Sequence, residues 1–240
     1  MKKLLVAAVA LAAGVASADI VSSSVVGYAS KATTEGGFAF YTPCFKDVNG
    51  TGYSIQDIIP SSGFEGWGSE SLQILDKDGN VSEYYTYCNE YLYGKAGWYD
   101  ENSTLATRKI KNGESFLVNN DAGPFTIQFA GEVSTTATSA TSEAGGFCAA
   151  GNSSPVEQDI QGFAPVSGFE GWGSESLQIL DKDGNVSEYY TYCNEYLYGE
   201  AGWYDENSLK ATRKIDAGEG FLISNDAGAY EVTIPAVSIQ

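Results

Sequence analysis

Apolar and polar residues alternate with a period of two near residue 125. Phe125, Ile127 and Phe129 are separated by Thr126 and Gln128, and the same alternation returns at Tyr230, Val232 and Ile234. The residue types differ but the period survives, which is the pattern of a strand with one face on a core. Runs rich in Val, Ile, Phe and Tyr predict further strands at residues 25–29, 38–45, 71–75, 81–88, 98–100 and 114–119. Asp76-Lys77-Asp78-Gly79-Asn80 separates two of them and predicts a hairpin, because Asp, Gly and Asn tolerate turn geometry. Residues 54–59 predict one helical turn, stopped by Pro60. Asn112-Gly113 and Asp121-Ala122-Gly123-Pro124 mark other turns. No segment carries a sustained helical period. The expected fold class is all-β, built as β-sandwiches or small barrels.

The pattern occurs twice because the sequence does. Residues 62–94 recur without change at 167–199, and residues 96–103 recur at 201–208. Identity then decays, and residues 124–135 share nothing with 229–240. Such a sharp-edged block, including polar Lys77 and Asn80, fits recent duplication or exchange between the copies. It is weak evidence for a functional site. The expected organisation is two homologous β units in tandem, 19–133 and 145–240. The Ser/Thr/Ala-rich stretch 134–144 is expected to link them, the other reading being a long loop within one intertwined structure.

Residues 1–18 have the form of a secretory signal peptide. Lys2 and Lys3 precede a short apolar run, and Ala16-Ser17-Ala18 offers a cleavage site. That run is too short to span a membrane, which takes roughly 20 residues, so export without membrane insertion is expected. The destination is extracellular, cell-surface or periplasmic.

The formal net charge is −18, more negative still without Lys2 and Lys3. This disfavours nucleic acid, whose phosphates need Lys and Arg, and suits cations or neutral ligands. There are 0 His, which removes His-based triads and the usual catalytic zinc sites.

Asn112-Gly113-Glu114-Ser115-Phe116-Leu117 recurs as Ala217-Gly218-Glu219-Gly220-Phe221-Leu222. Together with Val25-Val26-Gly27-Tyr28, this resembles uncharacterised secreted bacterial tandem-repeat β proteins with GEGF-type hairpins. The resemblance implies export and a β fold, and carries no activity.

The 4 cysteines fall two per unit, Cys44 with Cys88 and Cys148 with Cys193. In an exported protein this predicts one disulfide per unit, against free thiols or a Cys88–Cys193 bridge. Asp76–Asn80 has carboxylates at calcium-loop spacing, but a calcium loop needs Gly at its sixth position and Glu at its twelfth. Here Gly79 comes too early and Tyr87 stands in the last place, so a plain turn is expected. Asp47-Val48-Asn49-Gly50 is a weaker version of the same pattern. No metal or cofactor is expected.

The aromatics are the candidates for binding. Trp67 lies in a Gly-flanked loop and Trp98 in Gly97-Trp98-Tyr99-Asp100, with Tyr84, Tyr85, Tyr87, Tyr91 and Tyr93 between. Rings of this kind stack on sugar faces while Glu65, Glu70 and Asp100 accept hydroxyl hydrogen bonds. The second copy repeats the set as Trp172, Trp203, Glu170 and Asp205. The same rings equally suit core packing.

These features point to a non-enzymatic structural or adhesive protein whose partners are glycans, envelope proteins or other copies of itself. A carbohydrate-binding protein with one aromatic site per repeat is the alternative, and a carboxylate-based glycoside hydrolase the remote one. Exposure of Trp67 and Trp172 would favour sugar binding. Burial, with free strand edges, would favour assembly by strand pairing.

Overall fold

The computed structural model describes residues 26–46 and 52–237. The signal-peptide reading and Asp47-Val48-Asn49-Gly50 lie outside the described residues. In the first half the strands are β1 (Val26–Ala32), β2 (Gly37–Tyr41), β3 (Tyr53–Ser54), β4 (Ile59–Ser62), β5 (Trp67–Leu75), β6 (Val81–Cys88), β7 (Gly97–Tyr99), β8 (Lys109–Ile110), β9 (Phe116–Asn120) and β10 (Thr126–Glu132). The second half repeats them as β11 (Thr138–Ser142), β12 (Gly146–Gly151), β13 (Gln158–Asp159), β14 (Pro165–Ser167), β15 (Trp172–Leu180), β16 (Val186–Cys193), β17 (Gly202–Tyr204), β18 (Lys214–Ile215), β19 (Gly220–Asn225) and β20 (Tyr230–Ile234). One-turn helices α1 (Glu90–Tyr93) and α2 (Glu195–Tyr198) follow β6 and β16.

The fold is all-β. The first half has a five-stranded sheet ordered β2-β9-β5-β6-β7, a three-stranded sheet β1-β10-β4 and the pair β3-β8. The second half has the same orders, β12-β19-β15-β16-β17, β11-β20-β14 and β13-β18. Every sheet stays open, so the small-barrel form is not adopted.

Alternation along each strand sets what the sheets bury. Leu72, Ile74, Phe116 and Val118 face inward and meet Ile127 and Phe129 of β10, whose rings and methyls are fully buried. Phe116 and Phe129 touch edge to face, with centroids 6.3 Å apart. Burying such side chains contributes about 1.5–3 kcal/mol each. Leu75, Phe38, Phe40 and Leu117 point from the opposite face of the sheet. They pack with Phe147, Ala149, Leu180 and Leu222 in a cluster between the halves.

The contact between halves is reciprocal. The Phe38 amide donates to the Lys182 carbonyl at 2.7 Å, and the Phe147 amide to the Lys77 carbonyl at 2.7 Å. Thr42 likewise donates to Gly218, and Gly151 to Gly113. Each β5–β6 or β15–β16 hairpin thus caps the start of an edge strand in the other half. The hairpins form as expected, Asp76 Oδ1 accepting from the amides of Asp78 and Asn80.

Two expectations are corrected. The 134–144 stretch does not run as a connection alone: Thr138–Ser142 is β11, paired along its length with β20. Only Ala140 in it is buried, so its apolar period is invisible. The four cysteines are free thiols, and none forms a disulfide. Cys44 and Cys148 do not stand at equivalent positions of the two halves. Cys148 opposes Ile223 and Ala39 opposes Val118, so Cys148 occupies the place of Ala39. Cys44 packs in the first core, whereas Cys88 pairs with Trp67 and Gly97 at the far end of β6.

Candidate functional site

The expected site residues separate into an outer and an inner set. Trp67 and Trp172 are each 59% exposed, while Trp98 and Trp203 are buried at 1% and 0%. The Trp98 indole N–H donates to the Ile58 carbonyl at 2.9 Å. Gln56 ties the Trp98 backbone on both sides, donating to its carbonyl and accepting from its amide. Phe64 and Tyr87 pack edge-on to the ring. Trp203 is held identically by Phe163 and Gln161. These two indoles are core, and no ligand reaches them.

Trp67 opens β5, where the strand leaves the core and its first three residues are exposed. The register between β5 and β6 shifts between Trp67 and Ser71, and this bulge turns the indole outward. The loop before it is latched to Asn89. The Asn89 amide donates to the Gly66 carbonyl at 2.8 Å and its Nδ2 to the Glu65 carbonyl at 3.0 Å. The Asn89 Oδ1 accepts from the Tyr91 amide at 3.1 Å, which is the N-cap bond of α1. One side chain therefore fixes the Trp67 loop and the helix that carries Tyr91. Gly66 is required here: its φ is +73°, and a Cβ would lie 2.7 Å from the Asn89 nitrogen.

Tyr91 is 81% exposed and Tyr196 80%, with Leu92, Tyr93 and their counterparts beside them. In the second half the Trp172 and Tyr196 rings lie within 21° of parallel, centroids 6.4 Å apart. Asn194 repeats the latch with Glu170, Gly171 and Tyr196. The second half thus presents Trp172 and Tyr196 stacked on a fixed support, and in the first half Asn89 ties the Trp67 loop to the helix that carries Tyr91. Exposed aromatics grouped on a fixed support are candidates for an interaction surface.

The carboxylates serve other ends. Glu65 is exposed beside Trp67, as is Glu170 beside Trp172. Glu70 is fully buried beneath the loop, and its Oε1 accepts from the amides of Glu65 and Gly66 at 2.6 and 3.3 Å. Its Oε2 has no hydrogen-bond partner, and neither has Oε2 of Glu175. Burial first, and then the Glu70 charge, push the Tyr87 hydroxyl and Cys88 thiol above their ordinary range. Glu70 is thus a support of the loop, closed to a ligand hydroxyl on the surface. Asp100 lies apart from Trp67; its Oδ1 accepts from the amides of Asn102 and Thr104 and closes a turn, as Asp205 does in the second half. Asp100 borders a groove of about 330 Å³ that also takes in Glu83, Tyr84 and Asn102. Glu83 is held there by Arg108 and by the Tyr85 hydroxyl.

Sequence reasoning brought out Trp67 and missed Asn89. The signal was present: Asn89-Glu90-Tyr91-Leu92-Tyr93-Gly94 has an N-cap Asn, an acid in the first turn and a Gly beyond the end. Gly94 adopts φ +76° and closes the helix.

No protein-family profile, curated protein or solved structure matches the chain.

Proposed function

We propose that this protein is an exported, non-catalytic adhesive protein that binds neutral glycans through two aromatic platforms, Trp67 with Tyr91 and Trp172 with Tyr196. The observation that carries the reading is the equal, 59% exposure of Trp67 and Trp172 on latched loops. A sugar ring offers an apolar C–H face that covers an indole, and its hydroxyls keep their water or find a neighbouring acceptor. Glu65 and Glu170 are the acceptors at hand. The overall charge of −18 selects against anionic chains. A non-catalytic role is supported by the carboxylates themselves: Glu70 is buried, Glu83 is paired to Arg108, and Asp100 closes a turn.

The test is a glycan-array screen of the mature protein beside Trp67→Ala, Trp172→Ala and the double variant. Binding by the wild type, weakened in each single variant and lost in the double, supports the reading. Wild-type binding unaffected by the double substitution would place the site elsewhere.

A further inference from the structure

We propose that the cleft between the halves binds one small amphiphilic amine, its apolar body held between the two hairpins and its ammonium group at the acidic mouth. The site is separate from the aromatic platforms. The cleft has a volume of about 420 Å³, within the usual range of a small-molecule site, roughly 300–1,000 Å³. The sequence repeat builds it from both sides. Leu75 and Val81 flank the first hairpin, Leu180 and Val186 the second, and all of them line the cleft. Phe38 and Phe147 line it too, each half-buried. A turn glycine lies beside each ring with no side chain to cover it. A Cβ at Gly79 would rest 3.5 Å from the Phe147 ring, and one at Gly184 3.7 Å from the Phe38 ring. The bonds from the Phe38 and Phe147 amides to the Lys182 and Lys77 carbonyls hold the hairpins in place. Val81 and Val186 stay 47% and 48% exposed at the edge. An apolar ligand in the cleft would take this surface out of water.

The charges at the mouth select the polar end of the ligand. Each hairpin tip sets two aspartates against one lysine, Asp76, Lys77 and Asp78 in the first and Asp181, Lys182 and Asp183 in the second. The lysines already have partners: Lys77 pairs with Asp78 at 2.7 Å, and Lys182 with Asp183 at 3.1 Å and Glu35 at 4.0 Å. An arriving carboxylate meets an excess of like charge. A cation is drawn by the same excess, and the net charge of −18 gathers cations from solution. Asp78 lines the cleft, and so does Gln73, whose Nε2 donates to the Ser71 hydroxyl at 3.0 Å and leaves its carbonyl oxygen to accept. An ammonium group brings three N–H donors and no acceptor, which matches these two groups.

The experiment titrates the full chain with n-octylammonium, octanol and octanoate by calorimetry. Octylammonium should bind at one per chain and at least ~10-fold more tightly than octanoate, with a preference that shrinks as salt is added. Octanol, which gains the apolar contact alone, should fall between. Val81→Lys with Val186→Lys places ammonium groups at the mouth, on positions exposed enough to accept them. This variant should weaken octylammonium about 10-fold and leave octanol nearly unchanged. Leu180→Trp fills the cleft and should weaken all three ligands; if it does not fold, the lysine pair decides. Equal affinity for octanoate and octylammonium would overturn the amine assignment. No binding of any of the three by the wild type, or octylammonium binding undiminished in the folded variants, would overturn the site.

Discussion

The side-chain amide of Asn89 donates to the Glu65 carbonyl at 3.0 Å, while its carbonyl oxygen caps the helix that carries Tyr91. One residue thereby couples two exposed rings that are far apart in sequence. Binding surfaces gain from such prior ordering because less freedom is lost when the ligand arrives.

The two roles of Asn89 separate by substitution. Asn89→Asp keeps the capping acceptor and removes the donor to Glu65. We expect little loss of stability but a shift in Trp67 fluorescence and weaker glycan binding. Asn89→Ala should show the same binding loss and lower stability by about 1 kcal/mol, the usual worth of an N-cap. Chemical denaturation beside fluorescence checks both.

The inner and outer indoles should differ sharply. Trp98→Ala removes a fully buried ring and its bond to Ile58, and is expected to cost about 3–5 kcal/mol. Trp67→Ala should cost less than ~1 kcal/mol, since the ring is exposed. Equal losses in urea titrations of the two would mean that Trp67 is packing and not platform.

The strand of Phe125, Ile127 and Phe129 was legible because its core face alternates with polar residues, and all three are buried as the period requires. The Asp76–Asn80 hairpin was legible because its chemistry is local. β11 was not, because its ladder to β20 supplies what its Ser and Thr residues do not, and Ala140 alone reaches the core. Trp67 and Trp98 both follow a glycine. Their opposite fates depend on a bulge and on Gln56, which no window of sequence around either ring contains. The cysteine spacing misled because the first strands of the two halves are offset differently from the rest.

Four free thiols should titrate in denaturant under non-reducing conditions. Burial pushes the Cys44 thiol up to about 11, partly offset by Lys31. The folded state thus holds its proton where the unfolded chain has released it. This contribution is intact below the ordinary thiol range and is lost as pH rises from about 9 toward 11. For Cys44 it amounts to at most about 2–3 kcal/mol. Buried Tyr53, raised to about 12, acts in the same direction. Melting temperature should fall across this window, and less steeply in Cys44→Ala. A flat profile in the wild type would refute the burial of these groups.

Gly37 should be intolerant of any side chain. Its φ is +109°, and a Cβ would stand 2.5 Å from the Lys182 carbonyl oxygen of the other half. Gly94 has φ +76° with nothing within 4 Å. Gly94→Ala should cost about 1 kcal/mol for the backbone alone, and Gly37→Ala clearly more, through lost contact between the halves. Thermal melts of the two variants compare them directly.

The reciprocal bonds between the halves tie the integrity of each to the other. Each edge strand is held near both its ends by the opposite half: β2 through Phe38 to Lys182 and Thr42 to Gly218, β12 through Phe147 to Lys77 and Gly151 to Gly113. An edge strand that frays in one half gives up bonds to the other as well, so the two halves open as one cooperative unit.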